Sequence, residues 1–291
     1  MTGFKSSLED IMIESVIKNA LSEDISSGDI TTSAIIPEGH SSKALIIAKG
    51  DFILAGMPYA ERTFKLTDSS LKFRIKKRDG SMVRSGALLA EISGDTASLL
   101  KAERVSLNLL QRLSGIATIT RCYVELIKGL SVKILDTRKT APGLRIFEKY
   151  AVRVGGGYNH RFGLFDGVLI KDNHISASGG LKKAVKLARL NTHHFTKIEV
   201  EVKSIKEVKE ALSAGVDILM LDNMSLGMMK RAVEIIRSTG TDKLIEASGN
   251  IGIENVRAVA LTGVDFISIG AITHSASSAD ISMTVKSIHA P

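Results

Sequence analysis

Residues 134–175 read ILDTRKTAPGLRIFEKYAVRVGGGYNHRFGLFDGVLIKDNHI. Arg138, Lys139, Arg145, Lys149, Arg153, His160, Arg161, Lys171 and His174 all fall within this stretch. They alternate with glycines and with short apolar runs of the kind that become buried strands. Cations this dense beside core-forming segments predict a walled anion site rather than a solvated face. The chemistry they suit is capture of a small molecule with several negative charges, because arginine forks grip carboxylate and phosphate bidentately.

A second set of residues is acidic. Glu199 and Glu201 stand two apart in KIEVEV, so on a strand they share a face, while Val200 and Val202 share the other. If helices cover the valines, the glutamates point inward, where carboxylates need cations or a metal. A structural Lys–Glu network is the alternative. Glu201 and Asp222 carry oxygens suited to Mg²⁺, which keeps several waters and bridges substrate phosphates. Ser248, Gly249 and Gly270 fall where backbone N–H groups could meet a phosphate at a helix start. His193 and His194, in RLNTHHFTK, have no ligand partner at a telling spacing and read as a solvated loop.

These residues need elements to bring them together. LEDIMIESVIKNALSED has Ile11, Ile13, Val16, Ile17 and Leu21 near helical spacing. Residues 43–99 then change period, with short apolar or alternating runs cut by glycine and Asp-Gly turns, as in a small β-rich region. From Ala102 the pattern is helical again, with Val105, Leu109, Leu110, Leu113, Ile116 and Ala117 on one face. Six apolar runs follow: VKILD, GVLI, KIEVEV, DILML, KLIEA and DFISIG, separated by helical stretches. Near-continuous apolar strands alternating with helices argue for a parallel sheet covered by helices. A closed or nearly closed barrel is the first choice and a doubly wound open sheet the second, weakened because no GxGxxG follows the first strand. In such a barrel Asp136, Arg138, Lys139, Lys171, Asp222, Glu246, Ser248 and Gly270 meet at the C-terminal rim, where active sites of that architecture sit.

Bulk properties narrow the classes. The 291 residues are 44% apolar and 24% charged, ordinary for a globular protein. Net charge is +8, but tryptophan is absent, aromatics are few and lysines are spread over helix surfaces, so no nucleic-acid partner is expected. No apolar run approaches the roughly twenty residues needed to span a bilayer, and MTGFKSSLEDIMIESV is unlike a secretory signal. The lone Cys122 reads as a packed core thiol in a reducing, cytoplasmic setting. A strand-end lysine such as Lys171 would also suit Schiff-base chemistry, and borohydride trapping would reveal it.

DTRKTAPGLRIFEKYAVRVGGGYNHRFGLFDGVLIKDNHI resembles the signature of the quinolinate phosphoribosyltransferase family. EDISSGDITT, ERVSLNLLQRLSGIAT, IEVEV, MLDN, EASGNI and SIGAITHSA stand in the same order as in that family, so the likeness covers nearly the whole chain. The resemblance implies an α/β fold: an N-terminal α/β sandwich over residues 1–112, then an incomplete seven-stranded α/β barrel over 113–291. A last helix, about 277–289, would be free to pack back on the N-terminal domain. It implies decarboxylating phosphoribosyl transfer from phosphoribosyl pyrophosphate (PRPP) to quinolinate, with Mg²⁺, in a homodimer or an assembly of dimers. By matching positions, Arg138, His160, Arg161 and Lys171 would line the quinolinate pocket, with Arg104 reaching it from the neighbouring subunit. Lys139, Glu201, Asp222, Ser248, Gly249, Gly270 and His274 would serve PRPP. Lys139, Lys171, Glu201 and Asp222 would be catalytic, with Glu201 and Asp222 holding the metal directly or through water. The family's usual RKTTPGLR departs here at Ala141, a change that removes no charge.

Overall fold

The computed structural model describes residues 8–287. Residues 1–7 of the expected non-secretory start, and positions 288 and 289 of the expected last helix, lie outside them. The described residues pack as two compact units. One holds residues up to Ile119, Ala141–Gly155 and those from Ser275 onward; the other holds Thr120–Thr140 and Gly156–His274.

In the first unit α1 (Leu8–Ile25) buries Ile17 and Leu21 and leaves Ile11 and Met12 exposed. Asp29 caps α2 (Ile30–Ile35) by accepting the Thr32 N–H at 3.0 Å. The strands β1 (Ser41–Ala48), β2 (Phe52–Ile53), β3 (Lys72–Ile75), β4 (Met82–Val83) and β5 (Leu88–Asp95) come next, with α3 (Met57–Thr67) between β2 and β3. A four-stranded antiparallel sheet runs in the order C-terminal strand, β1, β5, β3. Ala44, Ile46, Phe64, Leu89, Ile92 and Leu110 are at the centre of its core.

One expectation needs correcting here. The segment expected as a last helix is a strand, Ile281–Ser287, paired with β1. Its period is two: Ile281, Met283 and Val285 pack on the core, and Ser282, Thr284 and Lys286 alternate with them. The expected cut at 112/113 falls inside α4 (Thr96–Leu126), which runs unbroken through it. The segment carrying α5 (Arg145–Val154) also joins the first unit.

The second unit is a parallel sheet. Its strands are β6 (Lys133–Leu135), β7 (Val168–Ile170), β8 (Ile198–Val202), β9 (Ile218–Asp222), β10 (Leu244–Ser248) and β11 (Phe266–Ser268). They are ordered β6-β11-β10-β9-β8-β7, so first and last strands are neighbours, as a barrel requires. The seventh position, invisible in the sequence pattern, is reduced to one bridge. Tyr158 pairs in parallel with Leu135 on the other side of β6, donating its N–H to Ile134 O at 2.8 Å. Helices α6 (Asp172–Ser178), α7 (Leu181–Asn191), α8 (Ile205–Ser213), α9 (Leu226–Ser238), α10 (Val256–Ala260) and α11 (Ala271–His274) occupy the connections. Serines begin two of them: Ser204 Oγ accepts the Glu207 N–H and Ser225 Oγ the Met228 N–H. Helices α7 and α8 pack on β8, whose Ile198, Val200 and Val202 are fully buried. Asp217 and Asp265 brace the strand starts, accepting the N–H of Ile198 (2.8 Å) and of Ile245 (2.7 Å).

Cys122 is exposed, not packed. Near the end of α4 Ile116, Thr120 and Tyr123 form a buried stripe, and Cys122 falls one step off it. Among the described residues no helix is long and apolar enough to cross a membrane.

Candidate active site

Strand parity determines what faces the inside of the second unit. On β8 the outward face is Ile198, Val200 and Val202, so Glu199 and Glu201 turn inward. Register then aligns Glu201 with Met220, Met220 with Glu246, Asp222 with Ser248 and Ser248 with Ser268. A cavity of about 920 Å³ opens at this end of the sheet. Arg138, Lys139, His160, Arg161, Lys171, Glu201, Asp222, Ser248, Gly249, Gly270 and His274 line it, all of them residues of the second unit. Arg104 does not line it; it stands on α4 in the first unit, its side chain 56% exposed. Arg145, Lys149 and Arg153 lie on α5 and likewise stay outside the lining. The dense run of cations in the sequence is therefore divided between the two units.

The segment after β6 positions the first cations. Thr273 Oγ1 donates to Lys139 O at 2.8 Å, and the Lys139 N–H donates to Thr137 Oγ1 at 3.0 Å. Gly270 lets the Lys139 stem pass, since a Cβ there would lie 2.9 Å from Lys139 Cδ. Asp136, fully buried at the end of β6, organises the next segment. Its carboxylate accepts the His160 N–H and an Asn159 Nδ2–H, both at 2.7 Å. Arg161 Nη1 donates to Gly167 O at 2.7 Å, and the Phe162 N–H to Asp166 Oδ2 at the same distance. Burial and then the neighbouring Arg138 hold the Arg161 guanidinium below its ordinary pKa. Two crowded guanidinium groups at a cavity wall favour an anion with more than one charge.

On the opposite wall Lys171 Nζ lies 3.4 Å from Glu201 Oε2. Lys203 Nζ reaches Asp172 at 2.9 Å, Glu201 at 3.7 Å and Asp222 at 4.0 Å. Burial, followed by the adjacent Asp222, raises the Glu201 carboxyl above its ordinary range. A Lys–Glu network is thus present around Glu201, while Glu199 makes a different set of contacts. Its Oε2 is 3.3 Å from His160 Nε2, and Glu246 Oε2 is 3.7 Å from the same nitrogen. His160 Nδ1 accepts the Arg161 N–H at 2.7 Å, which leaves Nε2 as the N–H edge of the ring that faces the two carboxylates.

The loops after β9 and β10 are held in left-handed backbone. Asn223 and Asn250 have φ of 54° and 50°, and Gly249 has 89°. A Cβ on Gly249 would lie 2.3 Å from Asn223 Oδ1, the atom that accepts Asn250 Nδ2–H at 2.9 Å. Such strain collects where a loop must present its backbone to a ligand.

Sequence reasoning missed Thr137, Asn250, Gly252, Glu254 and Ser268 as lining residues. Ser268 had a signal, because it shares the parity of Gly270 on β11. Glu254 and Asn250 had none beyond their loop. Asp136 and Thr273, which position their neighbours, carry no chemical signature of their own.

Comparison with known proteins follows the same two-part outline. Residues 29–114 match the family model for quinolinate phosphoribosyl transferase, N-terminal domain, and residues 116–284 that for its C-terminal domain. The chain is 45% identical over 278 residues to a probable nicotinate-nucleotide pyrophosphorylase (carboxylating) of Bacillus subtilis, covering 96% of this chain and 95% of that protein. It is 43% identical over 294 residues to the chloroplastic nicotinate-nucleotide pyrophosphorylase (carboxylating) of Arabidopsis thaliana, covering 94% and 82%. The solved structure of NadC from Streptococcus pyogenes superposes with a TM-score of 0.91 at 44% identity, over 98% of this chain and 100% of the other. The nicotinate-nucleotide pyrophosphorylase from Francisella tularensis gives 0.88 at 41% identity, over 97% and 98%.

Proposed function

We propose how this chain, which belongs to the quinolinate phosphoribosyltransferase family, uses the rim of its second unit. The reaction is decarboxylating phosphoribosyl transfer from PRPP to quinolinate, giving nicotinate mononucleotide, pyrophosphate and CO₂ in de novo NAD biosynthesis. One observation carries the assignment of roles. A single cavity sets Arg138, Arg161 and Lys171 against the carboxylates of Glu201 and Asp222.

Arg138 and Arg161 hold the two carboxylates of quinolinate, with His160 shaping that wall and Lys171 at the boundary between the substrates. Lys139, Ser248, Gly249, Gly270 and His274 receive PRPP. Glu201 and Asp222 fit Mg²⁺, bound directly or through water. Asp222 raises the cost of ionising Glu201, and a divalent cation relieves that repulsion. When bound, the metal supplies neutralising charge to the pyrophosphate. The pyridine nitrogen attacks the anomeric carbon as pyrophosphate leaves, and Glu201 and Asp222 stabilise the developing positive charge on the sugar. The ring, now cationic at nitrogen, accepts the electron pair released as the adjacent carboxylate departs. Lys139 Nζ delivers the proton to that carbon.

Arg104 completes the pocket from the partner subunit of a cytoplasmic homodimer. An Arg104→Ala chain mixed with a Lys171→Ala chain should then regain activity through heterodimers with one intact site. Absence of rescue despite demonstrated subunit exchange would leave each site to a single chain. The direct test is a coupled assay with quinolinate, PRPP and Mg²⁺. CO₂ and nicotinate mononucleotide should appear together, and nicotinate should substitute poorly for quinolinate. Equal turnover of nicotinate would refute the diacid reading of the pocket.

A further inference from the structure

Behind the pocket wall two glutamates that the substrate contacts do not use meet His160, a residue of the wall itself. Glu199 and Glu246 are 6% and 2% exposed, and neither lines the cavity, whereas His160 does. Burying two carboxylates side by side is costly unless each is matched. Apolar residues fill the outward positions Ile245 and Ala247 of the same strand, yet glutamate stands on the inward parity. The interior position is therefore polar for a reason other than packing.

His160 is gripped at three atoms. Its N–H donates to Asp136 Oδ1 at 2.7 Å, its Nδ1 accepts the Arg161 N–H at 2.7 Å, and its Nε2 faces the two glutamates. An N–H aimed at Nδ1 requires a lone pair there, so the ring proton sits on Nε2 and points at the glutamate pair. One donor atom from each of the three side chains falls within 4.8 Å of the others, a spacing that would admit a metal ion. The Nδ1 contact argues against one. A metal-bound imidazole ordinarily donates its second N–H to an acceptor, and here the second nitrogen faces a donor.

We propose that Glu246 is a positioning residue for the diacid end of the pocket: with Glu199 it clasps the Nε2–H edge of His160, fixes the tautomer that accepts the Arg161 N–H, and so sets the course of the chain into Arg161. The inference rests on the reading of Arg161 as a carboxylate contact. Burial, and then the adjacent Glu199, raise the Glu246 carboxyl well above the ordinary range. A proton held between the two side chains supplies a donor where two ionised carboxylates would offer acceptors alone. Oε1 of each glutamate and Oγ of Ser268 are buried together, and Ser268 and Glu199 both lie within interaction range of the Glu246 carboxyl, so that proton has acceptors around it.

Glu246→Gln and Glu246→Leu separate this role from packing. Glutamine offers an oxygen to Nε2–H and an N–H to Glu199, as the protonated acid does; leucine offers neither. In steady-state kinetics of the whole enzyme, Glu246→Leu should raise the quinolinate KM about tenfold or more, the scale of one lost buried contact. The PRPP KM should stay put, and Glu246→Gln should recover most of the quinolinate affinity. Equal damage in both variants, or an unchanged quinolinate KM in Glu246→Leu, overturns the proposal. Nitrogen NMR of the parent enzyme with labelled histidine tests it without relying on the folding of any Glu246 variant. The His160 signal, assigned by its loss in His160→Gln, should report a neutral ring protonated at Nε2. An imidazolium, or an Nδ1–H ring, overturns the proposal. So does a calorimetric Zn²⁺ site that Glu246→Gln abolishes, because the trio would then be a metal centre. If Arg161→Ala leaves the quinolinate KM at the parental value, the reading of the pocket is what fails. The proposal falls with it, even where the spectra show the Nε2–H ring.

Discussion

Asp136 offers the sharpest test of how the cavity wall at His160 and Arg161 is built. It is fully buried and receives two N–H groups, from His160 and Asn159, both at 2.7 Å. Asp136→Leu removes both acceptors and puts a larger, apolar side chain in their place. Each charge-assisted contact contributes about 1.5–3 kcal/mol, so the gross loss is about 3–6 kcal/mol. A buried leucine offsets about 1.5–3 kcal/mol of that, leaving a net destabilisation of about 2 kcal/mol at the midpoints of the two ranges. Asp136→Asn retains one oxygen, and Asn159 can turn its amide to meet the new N–H₂. Its cost should be nearer about 1–2 kcal/mol, since two charged contacts become neutral ones. Urea unfolding of the three proteins gives the stability order, parent above Asn above Leu. The quinolinate KM should rise in the same order, because the tether at residues 159 and 160 also aims Arg161, while the PRPP KM changes less. Leucine stability within about 0.5 kcal/mol of the parent would refute the tethering argument. So would equal rises in both KM values.

Three further outcomes are expected. Arg138→Ala and Arg161→Ala should each raise the quinolinate KM roughly tenfold to a hundredfold, the worth of a charge-assisted contact; near-parental turnover at low quinolinate in both would count against the assignment. Gly249→Ala places a methyl 2.3 Å from Asn223 Oδ1 at φ 89°. It should therefore raise the PRPP KM and cost about 1–2 kcal/mol of stability from the left-handed backbone alone, measurable by urea midpoint. The last concerns pH. The Glu246 carboxyl is pushed up to about 8 from an ordinary 4.5 by burial and by Glu199. The folded chain then keeps a proton that the unfolded chain has released, so the stability it contributes is present at acid pH and is lost as the pH rises toward 8. The parent's unfolding free energy should fall across that window relative to Glu246→Gln, which has no proton to lose there. Parallel curves would refute it.

The second unit was legible because its strands are short, apolar and punctuated, and because strand parity is unambiguous. IEVEV alone places two valines outward and two glutamates inward. The six runs named in the sequence became β6 to β11 within a residue or two. The seventh element was hidden because one bridge at Tyr158 leaves no periodic trace. The C-terminal strand was mistaken for a helix although ISMTVKS alternates cleanly, since its partner β1 lies far away in the sequence. Composition grouped Arg145, Lys149 and Arg153 with the pocket cations. Their helix, RIFEKYAVRV, instead folds into the first unit, burying Ile146, Phe147, Ala151 and Val152. Glu246 was visible as a strand-end acid, but its contact with His160 depends on register between strands, which sequence spacing does not encode.

The broken ring of strands has a consequence for how substrate choice can change. Among the described residues β7 pairs with β8 alone, β6 meets β11 and the Tyr158 bridge, and no strand ladder spans residues 159–167. In a fully zipped cylinder every peptide along that arc would be committed to a neighbour, and any insertion would shift the register around the circumference. Here the backbone that delivers His160 and Arg161 is held by side chains instead: Asp136 takes the Asn159 and His160 donors, and Asp166 the Phe162 N–H. A change of length along that arc is answered by those two carboxylates rather than by a shift of register around the six strands.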